Sequence, residues 1–105
     1  MTDRTSVVSD FHAFVMRWLE SKGLELQEEV DFPPYRVDIY LPDYHAAIEV
    51  DGPQHSKKSD IKRDRKLGDK YQLLVFHIPQ GDFNNSRETI WATIRNFLSV
   101  AAWSK

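Results

Sequence analysis

The stretch from Tyr35 to Asp51 constrains this chain more than any other. Tyr35 to Leu41 reads YRVDIYL and His45 to Asp51 reads HAAIEVD, two alternating runs separated by Pro42-Asp43-Tyr44. That is the pattern of two antiparallel strands joined by a tight turn. With Asp43-Tyr44 as a two-residue turn, opposed positions sum to 87, so Leu41 meets Ala46, Ile39 meets Ile48 and Asp38 meets Glu49. Because strand side chains alternate with period two, Val37, Ile39, Leu41, Ala46, Ile48 and Val50 share one face, and Arg36, Asp38, Tyr40, Glu49 and Asp51 share the other. One face is predicted to be core and the other acidic.

The rest of the chain supplies what such a hairpin needs to bury its apolar face. Phe11, Val15, Trp18 and Leu19 recur at steps of three and four and predict a first helix from about Val8, capped by Ser6 or Ser9 and ended by Gly23. Leu24 to Val30 precedes Pro33-Pro34 and reads as an edge strand. Ser59 or Asp60 is placed to cap a second helix running to about Lys70, whose apolar stripe is only Ile61, Leu67 and Tyr71. So thin a stripe suggests a helix lying over a polar surface. Leu73 to Ile78 is a continuous apolar run, as in a strand covered on both faces. Asn85-x-x-Glu88 resembles a capping box, and Ile90, Trp91, Ile94, Phe97, Leu98 and Ala101 form a last helical stripe. The expected order is αβββαβα, an α+β domain resembling an α/β sandwich, with residues 1–105 as one unit.

Composition narrows the class. The 105 residues include no cysteine, which removes thiolate metal sites and disulfides and suits a cytoplasmic setting. Leu73 to Phe76 is the longest aliphatic or aromatic run, far from the roughly 20 residues that span a bilayer, and the first ten residues lack a signal-peptide core, so no membrane association is expected. Net charge is −2, unevenly spread. Lys57 to Lys70 holds seven basic and three acidic residues, a balance of +4, against −6 for everything else. Lys57, Lys58, Lys62, Arg63 and Lys66 are therefore the candidate contacts to a phosphodiester backbone.

Asp38, Glu49 and Asp51 crowded beside an apolar core raise one another's pKa and lose solvation, and a divalent cation relieves that cost. A hard ion such as Mg2+, with Mn2+ as a substitute, takes carboxylate oxygens and a substrate phosphate as ligands. His55, four residues past Asp51 beyond a Gly-Pro turn, is placed to exchange a proton near neutral pH. Each feature has a plainer explanation. Paired carboxylates on a hairpin are usually solvated and matched by Lys or Arg, Asp60 suits a helix cap, and Asp64 suits a surface pair with Arg63. His12, His45 and His77 are read as structural, although His77 ends the buried strand where it can face Glu49. The coincidence of facing carboxylates, a third acid, a Gly-Pro-x-His turn and a +4 helix in one short span favours chemistry.

Val37-Asp38-Ile39, Ile48-Glu49-Val50-Asp51-Gly52-Pro53-Gln54-His55, Arg63-Asp64-x-x-Leu67 and Leu73 to Phe76 resemble the core of the very-short-patch-repair-like nucleases. These are the EDxHD-type branch of the PD-(D/E)xK restriction-endonuclease-like superfamily. The resemblance covers roughly residues 35 to 78 and implies a restriction-endonuclease-like αβββαβ core, here with an additional C-terminal helix. It further implies a magnesium-dependent DNA endonuclease or nickase, with Asp38, Glu49, Asp51 and His55 as catalytic residues and the three carboxylates as metal ligands. Asp10, Asp64 and His77 are supporting candidates. Three departures stand out: Asp51 replaces the superfamily's usual lysine, the first helix offers only Asp10 for the family's glutamate, and the repair enzyme's zinc-binding cysteines are absent. The Glu-Val-Asp-Gly-Pro-x-His string also resembles the RAP domain, an RNA-associated module, so a binding module without catalysis is the alternative and RNA stays open beside DNA as partner. One site per chain means that cutting both strands requires a homodimer, a larger assembly or two successive nicks.

Overall fold

The computed structural model describes residues 3–51, 57–83 and 86–104. In chain order the elements are α1 (Asp3–Glu20), β1 (Gln27–Phe32), β2 (Tyr35–Leu41), β3 (Ala46–Asp51), α2 (Lys57–Tyr71), β4 (Leu74–Pro79), α3 (Gln80–Phe83) and α4 (Arg87–Ser104). This is an α+β arrangement around one four-stranded mixed sheet, ordered β1-β2-β3-β4, with β1, β2 and β3 antiparallel and β4 parallel to β3. Parallel neighbours need a crossover, and α2 supplies it.

The hairpin keeps the expected register: Ile39 faces Ile48 and Leu41 faces Ala46. Its turn is longer than two residues, because Pro42 to His45 all lie in it and Tyr44 N–H donates to Leu41 C=O at 3.1 Å. Two added positions preserve the parity of the pairing, so no side chain changes face on that account. Helix α1 begins at Asp3 rather than near Val8, which puts Ser6 and Ser9 inside it and not at its cap. Gly23, with φ at +85°, follows its end in the left-handed conformation that glycine tolerates. Helix α2 likewise starts at Lys57, so Ser59 and Asp60 lie in its first turn. The capping residue Asn85 lies outside the described residues.

Two apolar clusters sandwich the sheet. On one side α1, α3 and α4 pack Val15, Leu19, Phe83, Ile90, Ile94 and Leu98 against Ile39, Leu41, Ile48 and Ile78. On the other, α2 packs Leu67, with Leu73, against Val37 and Ala47. The thin stripe of α2 therefore does enter a core, through a fully buried Leu67, while Ile61 stays 63% exposed. Val75 belongs to the α2 side and Phe76 to the other, as expected for a strand covered on both faces.

Val37 departs from the predicted face. It lies with Leu67, opposite Ile39, although the two are only two residues apart. The alternation breaks at Asp38, where the β1–β2 pairing also skips Glu29 and Asp38. Glu29, at the same level of β1, has φ at +54°, a left-handed residue inside a strand, so the irregularity falls at one level of both strands.

Helix α3 has no counterpart among the expected elements. It delivers Phe83, fully buried, to a pocket where Phe11, Phe14 and Trp18 meet its ring edge-on, with centroids 5.5, 5.7 and 4.9 Å away. Such a site cannot collapse when the ring is removed. Phe83→Ala is expected to cost about 3–5 kcal/mol in urea unfolding; a loss below about 1 kcal/mol would mean that the three rings close the gap.

Candidate active site

Strands β2 and β3 pair from Leu41–Ala46 to Ile39–Ile48 and then part. At the parting point side chains replace the backbone ladder. Asp38 N–H donates to Glu49 Oε2 at 2.9 Å, and Val50 N–H donates to Asp38 Oδ2 at 2.9 Å. The two carboxylates singled out by sequence are thus neighbours, each gripping the other's strand. Among the described residues Glu49 is the one buried charged or polar residue, 7% exposed. Burial raises its pKa and the Asp38 charge raises it further, against the opposing pull of the Asp38 N–H and Arg63.

Arg63 reaches the pair from α2. Its Nη2 lies 3.3 Å from Glu49 Oε2 and donates to Arg36 C=O at 2.7 Å, and its Nη1 lies 3.8 Å from Asp64. Predicted as a phosphate contact, Arg63 is instead only 20% exposed at its side chain and committed to internal carboxylates. Lys62 and Lys66 are exposed on the same helix. The side chains of Lys57, Lys58 and Asp10, and all of His55, lie outside the described residues.

Asp51 does not join Asp38 and Glu49 in a three-carboxylate site. It lies beyond the paired stretch of β2 and β3 and meets β4: His77 Nδ1 lies 3.1 and 3.0 Å from its two oxygens. The same ring offers Nε2 to Asp64 Oδ2 at 2.7 Å and lies 3.7 Å from Asp60. Ionised carboxylates only accept, so an imidazole held between two of them is best served with both nitrogens protonated. Burial disfavours that charge, but hydrogen bonds and charge from Asp51 and Asp64 outweigh it and the His77 pKa is raised.

Two groups of three potential metal-ligating side chains approach within 4.8 Å among the described residues: Asp51, Asp60 and His77, and His12, Glu29 and Asp38. Asp38 is therefore approached from α1 by His12, whereas Glu49 is approached from α2 by Arg63. Asp64 and His77, expected as supporting residues, do meet here, while Asp60, expected as a helix cap, joins them. His77 does stand opposite Glu49 in the parallel register, as expected; the overlooked signal is the Asp60/Asp64 spacing, which places both on one helix face. His12 and Glu29 carried no such signal.

No family model matches this sequence, and a search of solved structures finds no match to the fold. Among the described residues no helix is long and apolar enough to cross a membrane.

The charge on His77 makes stability depend on pH with a definite sign. A histidine whose folded pKa lies above the ordinary 6.5 stabilises fully below that value, and the contribution disappears as pH rises through the folded pKa. Urea midpoints of the wild type in EDTA should therefore fall above pH 6.5. His77→Gln should be less stable at pH 6 and show a flatter profile. Parallel profiles for the two proteins would mean that His77 is not held charged between its carboxylates.

Proposed function

We propose that the protein is a metal-dependent nuclease acting on DNA, built on a restriction-endonuclease-like core. The observation that supports this best is the reciprocal bonding of Asp38 and Glu49, which holds two acidic side chains together where β2 and β3 part, beside a helix of charge +4. Like charges kept adjacent and largely desolvated oppose folding, and a divalent cation offsets them. Oxygen donors suit a hard ion, and the two backbone N–H bonds use one oxygen of each carboxylate; Asp38 also stands within 4.8 Å of His12 and Glu29, whereas Glu49 belongs to neither ligand-like cluster and its bonded oxygen also meets Arg63. Asp38 and Glu49 would hold Mg2+ or Mn2+, with Asp51 next along β3. When bound, the ion would supply charge stabilisation to the phosphodiester under attack.

The chain's own residues have separable tasks in this reading. Arg63 holds the Glu49 carboxylate in place and adds positive charge beside it. His77 keeps Asp51 oriented and, being biased toward its charged form, is a poor proton acceptor. The base role falls to His55, as the nuclease resemblance implies, or to a metal-bound water. Exposed Lys62 and Lys66 meet the phosphate backbone.

A nucleic-acid-binding module without catalysis is the second reading, and one observation favours it. Glu49 already has an internal cation in Arg63, 3.3 Å away, so part of the charge relief comes from the protein itself.

Supercoiled plasmid incubated with purified protein separates the two. The nuclease reading expects nicked or linear product with Mg2+ or Mn2+ and none in EDTA. Asp38→Asn keeps an oxygen for the Val50 N–H, so it should abolish cleavage while leaving folding in EDTA unchanged or slightly improved. DNA binding without cleavage in either metal would favour the module. In both readings affinity should fall steeply with salt, each lost phosphate contact lowering the log–log slope by about 0.9. Unchanged binding after Lys62→Glu and Lys66→Glu together would remove α2 from the interface.

A further inference from the structure

We infer that a cleft beside Tyr35 is a subsite for one unpaired nucleotide of the bound strand. The inference rests on the proposed action on nucleic acid and adds to it where, and in what form, the strand is read. The cleft has a volume of about 440 Å3 and is lined by Pro34, Tyr35, Lys66, Asp69 and Lys70. Its floor is apolar, from the proline and the half-buried tyrosine ring, and its walls carry two exposed ammonium groups against one carboxylate. An apolar surface with an aromatic ring and flanking cations matches a nucleotide, whose base has a stacking face and whose phosphate is anionic.

The floor is held firmly. Lys70 Nζ donates to Pro33 C=O at 3.1 Å and Tyr71 Oη donates to the same oxygen, fastening the β1–β2 turn to α2. Lys66 and Lys70 are four residues apart on α2 and so project side by side over that floor. Position adds a second argument. The Arg63 guanidinium carbon lies 5.8 Å from the Tyr35 ring centroid, and the same guanidinium contacts Glu49. One side chain thus separates the cleft from the paired carboxylates, so a strand with a phosphate at the carboxylates has a neighbouring nucleotide within reach of Tyr35.

Stacking on Tyr35 requires a base whose face is not covered by its neighbours, which distinguishes single-stranded or flipped-out nucleotides from intact duplex. Binding is measured in EDTA, where cleavage plays no part, with three probes: a 12-nucleotide single strand, a blunt duplex of the same sequence, and inorganic polyphosphate, which has charge but no base. Tyr35→Ala should weaken single-strand binding about 5- to 150-fold, the range for one lost stacking contact, with duplex and polyphosphate affinities changed less than about twofold. Tyr35→Phe should restore it. Lys66→Gln, on an exposed helix face and harmless to folding, should lower the single-strand salt slope by about 0.7. Equal losses with polyphosphate, no loss with Tyr35→Ala, or an unchanged slope in Lys66→Gln would overturn the subsite. Single-strand binding that depends on Tyr35 in a protein that never cleaves plasmid would leave the subsite standing and remove the nuclease.

Discussion

Where β2 and β3 part, each strand would lose its ladder partners, and an unpaired backbone N–H in a protein interior costs as much as a broken hydrogen bond. Asp38 and Glu49 take those donors. Because the acceptors are carboxylates, the opening of the sheet is stabilised only with negative charge held in a poorly solvated place. Much of the surrounding structure answers that charge. Arg63 leans from α2 onto Glu49. A step further along β3, Asp51 is met by an imidazole that Asp64 holds from its other nitrogen.

The arrangement has a consequence for how charge is distributed over the helix. Of the two arginines on α2, Arg63 is turned inward and Arg65 is exposed, so the outward face that a phosphate backbone would meet carries Arg65 with Lys62, Lys66 and Lys70. Lysine is a mobile point charge on a flexible stem, suited to following a backbone without reading it. Arginine, with a planar fork of donors, suits the fixed geometry of a carboxylate and a carbonyl at once, which is its position here. Arg63 is thus the α2 cation that organises the carboxylates, while Arg65, Lys62 and Lys66 face solvent.

The hairpin register was legible because an alternating pattern between two turn residues admits few pairings, and the longer turn changed its length by an even number. The last helix was legible from Ile90, Ile94, Leu98 and Ala101, all of which are buried. The switch of faces at Asp38 was not, since it coincides with a left-handed residue at Glu29 on the neighbouring strand, and glutamate gives no local hint of that conformation. Nor was the His77 cluster, whose three acids come from β3 and from two turns of α2 and are joined only by the crossover. Local periodicity sees strands and helices one at a time. Contacts that depend on how far one strand runs beyond another become visible only when the sheet is assembled.

The central claim is that Asp38 and Glu49 are a pair kept ready for a divalent cation. Thermal unfolding with increasing Mn2+ or Mg2+ tests it without reference to any substrate. A ligand at one hundred times its dissociation constant stabilises a folded protein by about 2.7 kcal/mol, on the order of 10 °C in a domain of this size. The account predicts a concentration-dependent rise of that kind in the wild type and its loss in the Asp38→Asn, Glu49→Gln double variant. No rise at millimolar metal, or an equal rise in the double variant, would contradict it.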